Sequence, residues 1–180
     1  MPRLRTRERA EVPAELFIEY FRDSIEVLFD WEYFIEERWP VTITITSAHE
    51  EVAKWYMPWN INQSGEIVRF DHPEARPIQV DMLRAVFERL DIERQDRVRQ
   101  IKIALTSFRP PILFAVPTYA LPNGDRFLLD GNHRVSSIFL HLLPFRFLTL
   151  TLHGPIEARV FPELAYWEEH FTIQPQQEEI

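Results

Sequence analysis

Between Pro110-Pro111 and Gly154-Pro155 the chain alternates so regularly between apolar runs and backbone breakers that few architectures accommodate it. "ILFAV" (112–116) is a short apolar run rich in strand formers, and "PNGD" (122–125) is a hairpin-type turn. "RFLLD" (126–130) returns from that turn, Gly131 interrupts it, and a helical stretch over 133–143 is stopped by Pro144. "FRFLTLTL" (145–152) then repeats with period two. These segments predict strands at 112–116, 127–130 and 145–152, with one helix between the last two. Such a succession closes as a sheet with a helix packed on it.

The flanks extend the pattern. "PIQVDML" (77–83) reads as a strand leading into a turn or helix. "RQDRVRQIKIALTSF" (94–108) carries Val98, Ile101, Ala104, Leu105 and Phe108 at helical spacing, and Arg109-Pro110-Pro111 stops it. Nearer the N-terminus, Leu16, Phe17, Tyr20, Phe21, Ile25, Leu28, Trp31 and Ile35 predict one long helix from Pro13 to Trp39-Pro40. "VTITIT" (41–46) alternates as a strand, and Ser47 with Glu50 three residues on predicts a capped short helix. "KWYMPWNIN" (54–62) reads as a loop whose aromatics pack the extension, and the polar 58–77 stretch leaves room for one short strand, "EIVRF". An amphipathic helix near 161–171 precedes an acidic tail. The expected fold class is α+β: a mixed sheet with packed helices over 77–153, a mostly helical N-terminal extension over 1–76, and a C-terminal helix and tail over 154–180, all in one compact unit.

Composition narrows the function. A net charge of −8 opposes a broad grip on nucleic acid, so DNA is not the expected partner. No apolar stretch reaches the ~18–20 residues of a membrane span, and "MPRLRTRERAEVP" lacks a signal-peptide core. The expected location is cytoplasmic, away from the membrane. The absence of cysteine excludes disulfides, thiolate metal sites and cysteine nucleophiles. The histidines show no zinc spacing. Arg3, Arg5, Arg7 and Arg9 form a basic tail, either simply solvated or in contact with phosphate or an acidic partner. The Leu16–Ile35 stripe serves a core or a homodimer face.

The residues with chemistry concentrate in "DGNHR" (130–134). A helix start leaves amide N–H groups unpaired and carries partial positive charge, which suits an anion. Gly131 permits a sharp turn and close approach. Asn132 can cap the helix. Arg134 offers a fork matched to phosphate oxygens, and His133 a donor whose charge adjusts near neutral pH. Asp130 can orient His133 or Arg134, or hold Mg2+ against phosphates. The competing reading is a plain tight turn ahead of a solvated helix. A basic residue in the first turn, however, works against the helix dipole unless an anion is present.

The stretch "PPILFAV…RFLLDGNHRVSSIFLHLLPFRFLTL" resembles the core of the ParB/sulfiredoxin superfamily, with "PIQVDML" and "RVRQIKIALTSF" in place of that family's first strand and preceding helix. The resemblance covers roughly 77–153. It implies a phosphate cradle made by Gly131, Asn132, His133 and Arg134 with Asp130 beside it, and it places Lys102 and Arg109 near the nucleotide. Asn132 stands where sulfiredoxins carry their catalytic cysteine, so sulfinic-acid reduction is not expected. The chain after 153 is too short for the helix-turn-helix region of chromosome-partitioning relatives. "DGNHR" is closer to the "DGHTR" turn of the superfamily's free-serine kinases.

The expected function is therefore binding of a nucleoside triphosphate, ATP or CTP, followed by hydrolysis or phosphoryl transfer with Asp130 and His133 as catalytic candidates and Mg2+ as cofactor. The alternative is a non-enzymatic module that binds a partner protein or DNA. Nuclease activity ranks last, because no second carboxylate is placed for two-metal cleavage.

Overall fold

The computed structural model describes residues 10–25 and 27–171. The arginine tail and the acidic tail lie outside them. Within this range eight strands form one mixed sheet: β1 (Ala10–Val12), β2 (Val41–Thr46), β3 (Tyr56–Ile61), β4 (Ile67–Val68), β5 (Arg76–Gln79), β6 (Ile112–Ala120), β7 (Arg126–Leu128) and β8 (Phe145–Leu152). The strand order is β1-β2-β8-β6-β7-β3-β4, with β5 on the other edge of β3. The parallel pairs are β6 with β8 and β3 with β7; the rest run antiparallel. Pro77 sits in β5, whose sole pairing is with β3, so its missing N–H breaks no ladder.

Seven helices complete the fold: α1 (Ala14–Phe21), α2 (Trp31–Glu37), α3 (His49–Val52), α4 (Leu83–Val86), α5 (Ile92–Leu105), α6 (Asn132–Leu140) and α7 (Ala165–Phe171). They cover both faces of the sheet, because the strands alternate. Phe145 and Phe147 of β8 join Trp55, Met57, Val116 and Leu128 in a core closed by Leu83, Val86, Val135 and Ile138 from α4 and α6. Leu150 and Leu152 instead join Tyr119 and Phe127 in a second core, closed by Phe17, Phe21, Phe34 and Trp167. The α+β class and the mixed sheet agree with the sequence.

Four expectations are corrected. The long helix from Pro13 is two short helices, the first ending at Phe21 and the second starting at Trp31, and Asp30, whose side chain accepts from the Tyr33 amide, caps the second. Its stripe divides: Phe17 and Phe21 are core, whereas Tyr20, Leu28 and Ile35 face solvent. The N-terminal region supplies β1 to β4 to the common sheet, so it is not a mostly helical appendage. "YMPWNI" is a central strand rather than a loop. Finally, the short helix at 49–52 starts from Ala48 with no side-chain cap, so Ser47 does not form the capping box. Among the described residues no helix is long and apolar enough to cross a membrane.

Candidate functional site

β7 ends at Leu128, and α6 begins at Asn132. The turn between them is made by Gly131, with φ +83° and ψ 15°. That left-handed backbone is the reason for glycine here, since a β-carbon costs about 1–2 kcal/mol in this conformation. Gly131 is itself the N-cap and Asn132 the first helical residue, so the expected Asn132 cap is corrected. The Val135 amide donates to the Gly131 carbonyl at 2.9 Å and starts the helical ladder. Amides ahead of it have no partner within the helix. Ser136 and Ser137 are completely buried, and their small size lets α6 lie close on the sheet. The helix stops at Leu140, short of the expected 143, with Leu142 at φ 51°.

One side of Arg134 is fixed by charge and the other by an aromatic face. Its Nη2 donates to Asp130 Oδ2 at 3.1 Å, one helical turn back. Its guanidinium carbon lies 5.0 Å from the centre of the Phe114 ring, a cation–π distance. Of the two roles expected for Asp130 toward other side chains, the hold on Arg134 is present. His133 packs edge-on to Trp59 with ring centres 5.5 Å apart. Asn132 is buried, and its Oδ1 has no hydrogen-bond partner.

Opposite the turn runs α5. Between them lies a cavity of about 520 Å³, within the usual size of small-ligand sites, lined by all five residues of Asp130–Arg134 and by Arg97, Gln100, Ile101, Ala104 and Leu105. The Arg97 side chain makes no hydrogen bond or ion pair with any described residue, and its neighbour Gln100 is also at the wall. A second cavity, about 630 Å³, continues past His133 along α5 to Arg94, Asp91, Glu93 and Asp96. Asp91 caps α5, accepting from the Arg94 amide at 2.8 Å and from the Arg94 guanidinium at 2.6 Å. That amide above all holds the Asp91 carboxyl below the usual carboxylate range; burial opposes it, and the guanidinium's charge adds to the lowering.

The structure thus gathers Asp130, Gly131, Asn132, His133 and Arg134 at one wall. Of the two outlying candidates, Lys102 is exposed on α5 and does not line this cavity, whereas Arg109 lines an adjoining one. His153, at the far strand end, is 2.8 Å from Thr42 Oγ1 and also absent from the cavity. Sequence reasoning passed over Arg97 and Gln100, although their three-residue spacing puts them on one helix face with Ala104. It also missed Phe114 as the support of Arg134. Among the described residues no group of three or more histidines or carboxylates gathers as a metal site. No family model, curated protein or solved structure matches the chain.

Proposed function

We propose that the Asp130–Arg134 turn binds the phosphates of a nucleoside triphosphate, ATP or CTP, and that the protein hydrolyses it or transfers its terminal phosphoryl group. The observation that carries this reading is the pairing of a glycine-made helix start with a preset arginine at the wall of one cavity. The "DGNHR" resemblance to the ParB/sulfiredoxin superfamily supports the same assignment. Arg134, aligned by Asp130 and Phe114, offers its remaining N–H groups to phosphate oxygens. Arg97 offers a second, uncommitted guanidinium from across the cavity.

Among the described residues Asp130 is the one carboxylate at that wall, and its Oδ2 is engaged with Arg134. Magnesium in nucleotide sites takes one or two carboxylates plus phosphate oxygens and waters. The donor set here does not fit a resident ion, so Mg2+ enters as the counter-ion of the nucleotide. His133 is the side chain that would move a proton. Binding without turnover is the competing reading.

Calorimetric titration with Mg-ATP and Mg-CTP tests the binding. Arg134→Ala is expected to weaken it by ~1.5–3 kcal/mol, the scale of hydrogen bonds to a charged group, with little change in melting temperature. Unchanged affinity with lowered stability would make the arginine structural. Phosphate release, measured alone and with small hydroxyl acceptors, separates enzyme from binding module.

A further inference from the structure

Beside the cradle, between the end of α5 and the start of β6, lies a cavity of about 440 Å³ of different character. Its walls are almost wholly apolar, chiefly Leu105, Phe108, Ile112, Leu113 and Phe114. Phe108 is 62% exposed and Leu113 is 68% exposed. Single exposed apolar side chains need no explanation, but convergence of several on one concavity marks a site. The rim is cationic. Arg134 closes the side toward the cradle, and Arg109 stands on the rim with no hydrogen bond or ion pair to any described residue. Among the described residues no carboxylate lines it. A highly hydroxylated sugar would leave most of these walls without an apolar partner, and a neutral hydrocarbon would leave Arg109 unused.

We propose that this cavity is a second ligand site, for a small organic anion with an apolar body: an aromatic or medium-chain carboxylate whose hydrocarbon lies on Phe108 and Leu113 and whose head meets Arg109. The two cavities have Leu105 and Arg134 in common, so its occupant lies next to whatever the turn holds. The inference does not require the nucleotide reading, but under that reading the occupant is the neighbouring acceptor or effector.

The test uses octanoate as ligand, read by displacement of the fluorescent sulfonate 1-anilinonaphthalene-8-sulfonate from the full chain, with 1-octanol as the neutral analogue. Saturable displacement by octanoate is expected. Phe108→Asp should weaken octanoate at least tenfold while the melting temperature holds, since the side chain is exposed. Arg109→Gln should weaken octanoate several-fold and leave octanol unchanged. Failure of octanoate to displace the dye, indifference to Phe108→Asp, or equal responses of octanoate and octanol to Arg109→Gln would each overturn the proposal. Mg-ATP titration of the same variants keeps the two readings apart. Octanoate binding without ATP binding removes the nucleotide and leaves this site standing. Loss of ATP binding in Phe108→Asp with octanoate unaffected assigns the cavity to the nucleotide and overturns the second site.

Discussion

Two glycines with the same backbone allow the turn to be tested against an internal reference. Gly131 and Gly124 both have φ +83°. A β-carbon built on Gly124 would meet nothing within 4 Å, whereas one on Gly131 would lie 3.4 Å from Arg134 Nη2 and 3.7 Å from its Nε. Alanine at either position carries the left-handed strain, about 1–2 kcal/mol. For a domain of this size that corresponds to a fall in melting temperature of roughly 2–8 °C. The strain is common to both, and the extra contact at Gly131 is ordinary van der Waals packing. The two variants should therefore melt close together.

Binding should separate them. At Gly131 the added methyl stands against the guanidinium, in the space through which a phosphate oxygen would reach both Arg134 and the helix amides. Loss of one such charge-assisted contact amounts to ~1.5–3 kcal/mol, roughly ten- to a hundredfold in affinity. Gly124→Ala, on the hairpin, should leave affinity unchanged. Thermal melts and calorimetric titration with Mg-ATP on both variants measure the two quantities. Equal affinities would refute the cradle. A far larger stability loss at Gly131 than at Gly124 would show that the strain argument omits a packing role of the turn.

Three other perturbations probe the frame that holds the site. Asp91→Ala removes the cap of α5 and should cost about 1 kcal/mol in thermal or denaturant unfolding; no loss would mean that the cap is replaced locally. Phe17→Ala should cost ~3–5 kcal/mol within a single cooperative transition, because Phe17 belongs to the same core as Leu150 and Leu152; a separate early transition would instead mark the N-terminal region as an appendage. Burial pushes the Glu163 carboxyl above its usual value, and its Oε2 has no partner. The folded state therefore holds that proton more tightly than the unfolded one. The resulting stability is present below the unfolded value of ~4.3 and is lost as pH rises through the folded one. Glu163→Gln should raise the melting temperature at pH 7 but not at pH 4, and equal gains at both would contradict the burial argument.

The part of the fold written in local signals was legible. Prolines at 110, 111 and 144 and the alternation of "FRFLTLTL" delimit β6, α6 and β8, and Gly131 marks the turn between β7 and α6. What failed were judgements that needed tertiary context. The N-terminal stripe has helical spacing over too many residues, and only packing shows where Asp30 restarts it. The threonines of β2 illustrate the limit from the other side. Alternation shows that Thr42, Thr44 and Thr46 share a face, and the usual expectation turns that face to water. In the structure it is buried, with Thr149 Oγ1 donating to Thr46 Oγ1 at 3.3 Å and Thr118 and Thr151 hydroxyls 2.9 Å apart, while Ile45 is 55% exposed. Hydroxyl pairs make that inversion tolerable, and a pairing across strands cannot be read from either strand alone. Arg97 was missed for the same reason: one more arginine on a charged helix, significant only because α5 crosses opposite the turn.

Charge shows the same contrast between average and place. A net −8 describes the chain, but at physiological ionic strength charges more than about 8 Å apart in water are largely screened. What an anion meets at the turn is local: two guanidiniums, one carboxylate already paired with Arg134, and a helix start equivalent to about half a positive charge. The cavity wall is thus positive on an acidic protein. Beyond His133 the balance reverses, since Asp91, Glu93 and Asp96 face Arg94 and Arg97. A phosphate chain that ended at the turn would meet favourable charge throughout, whereas one continuing along α5 would run against carboxylates. On the proposed reading, the acidic end of α5 is what restricts the site to a mononucleotide and makes a nucleic-acid strand a poor ligand despite the arginines.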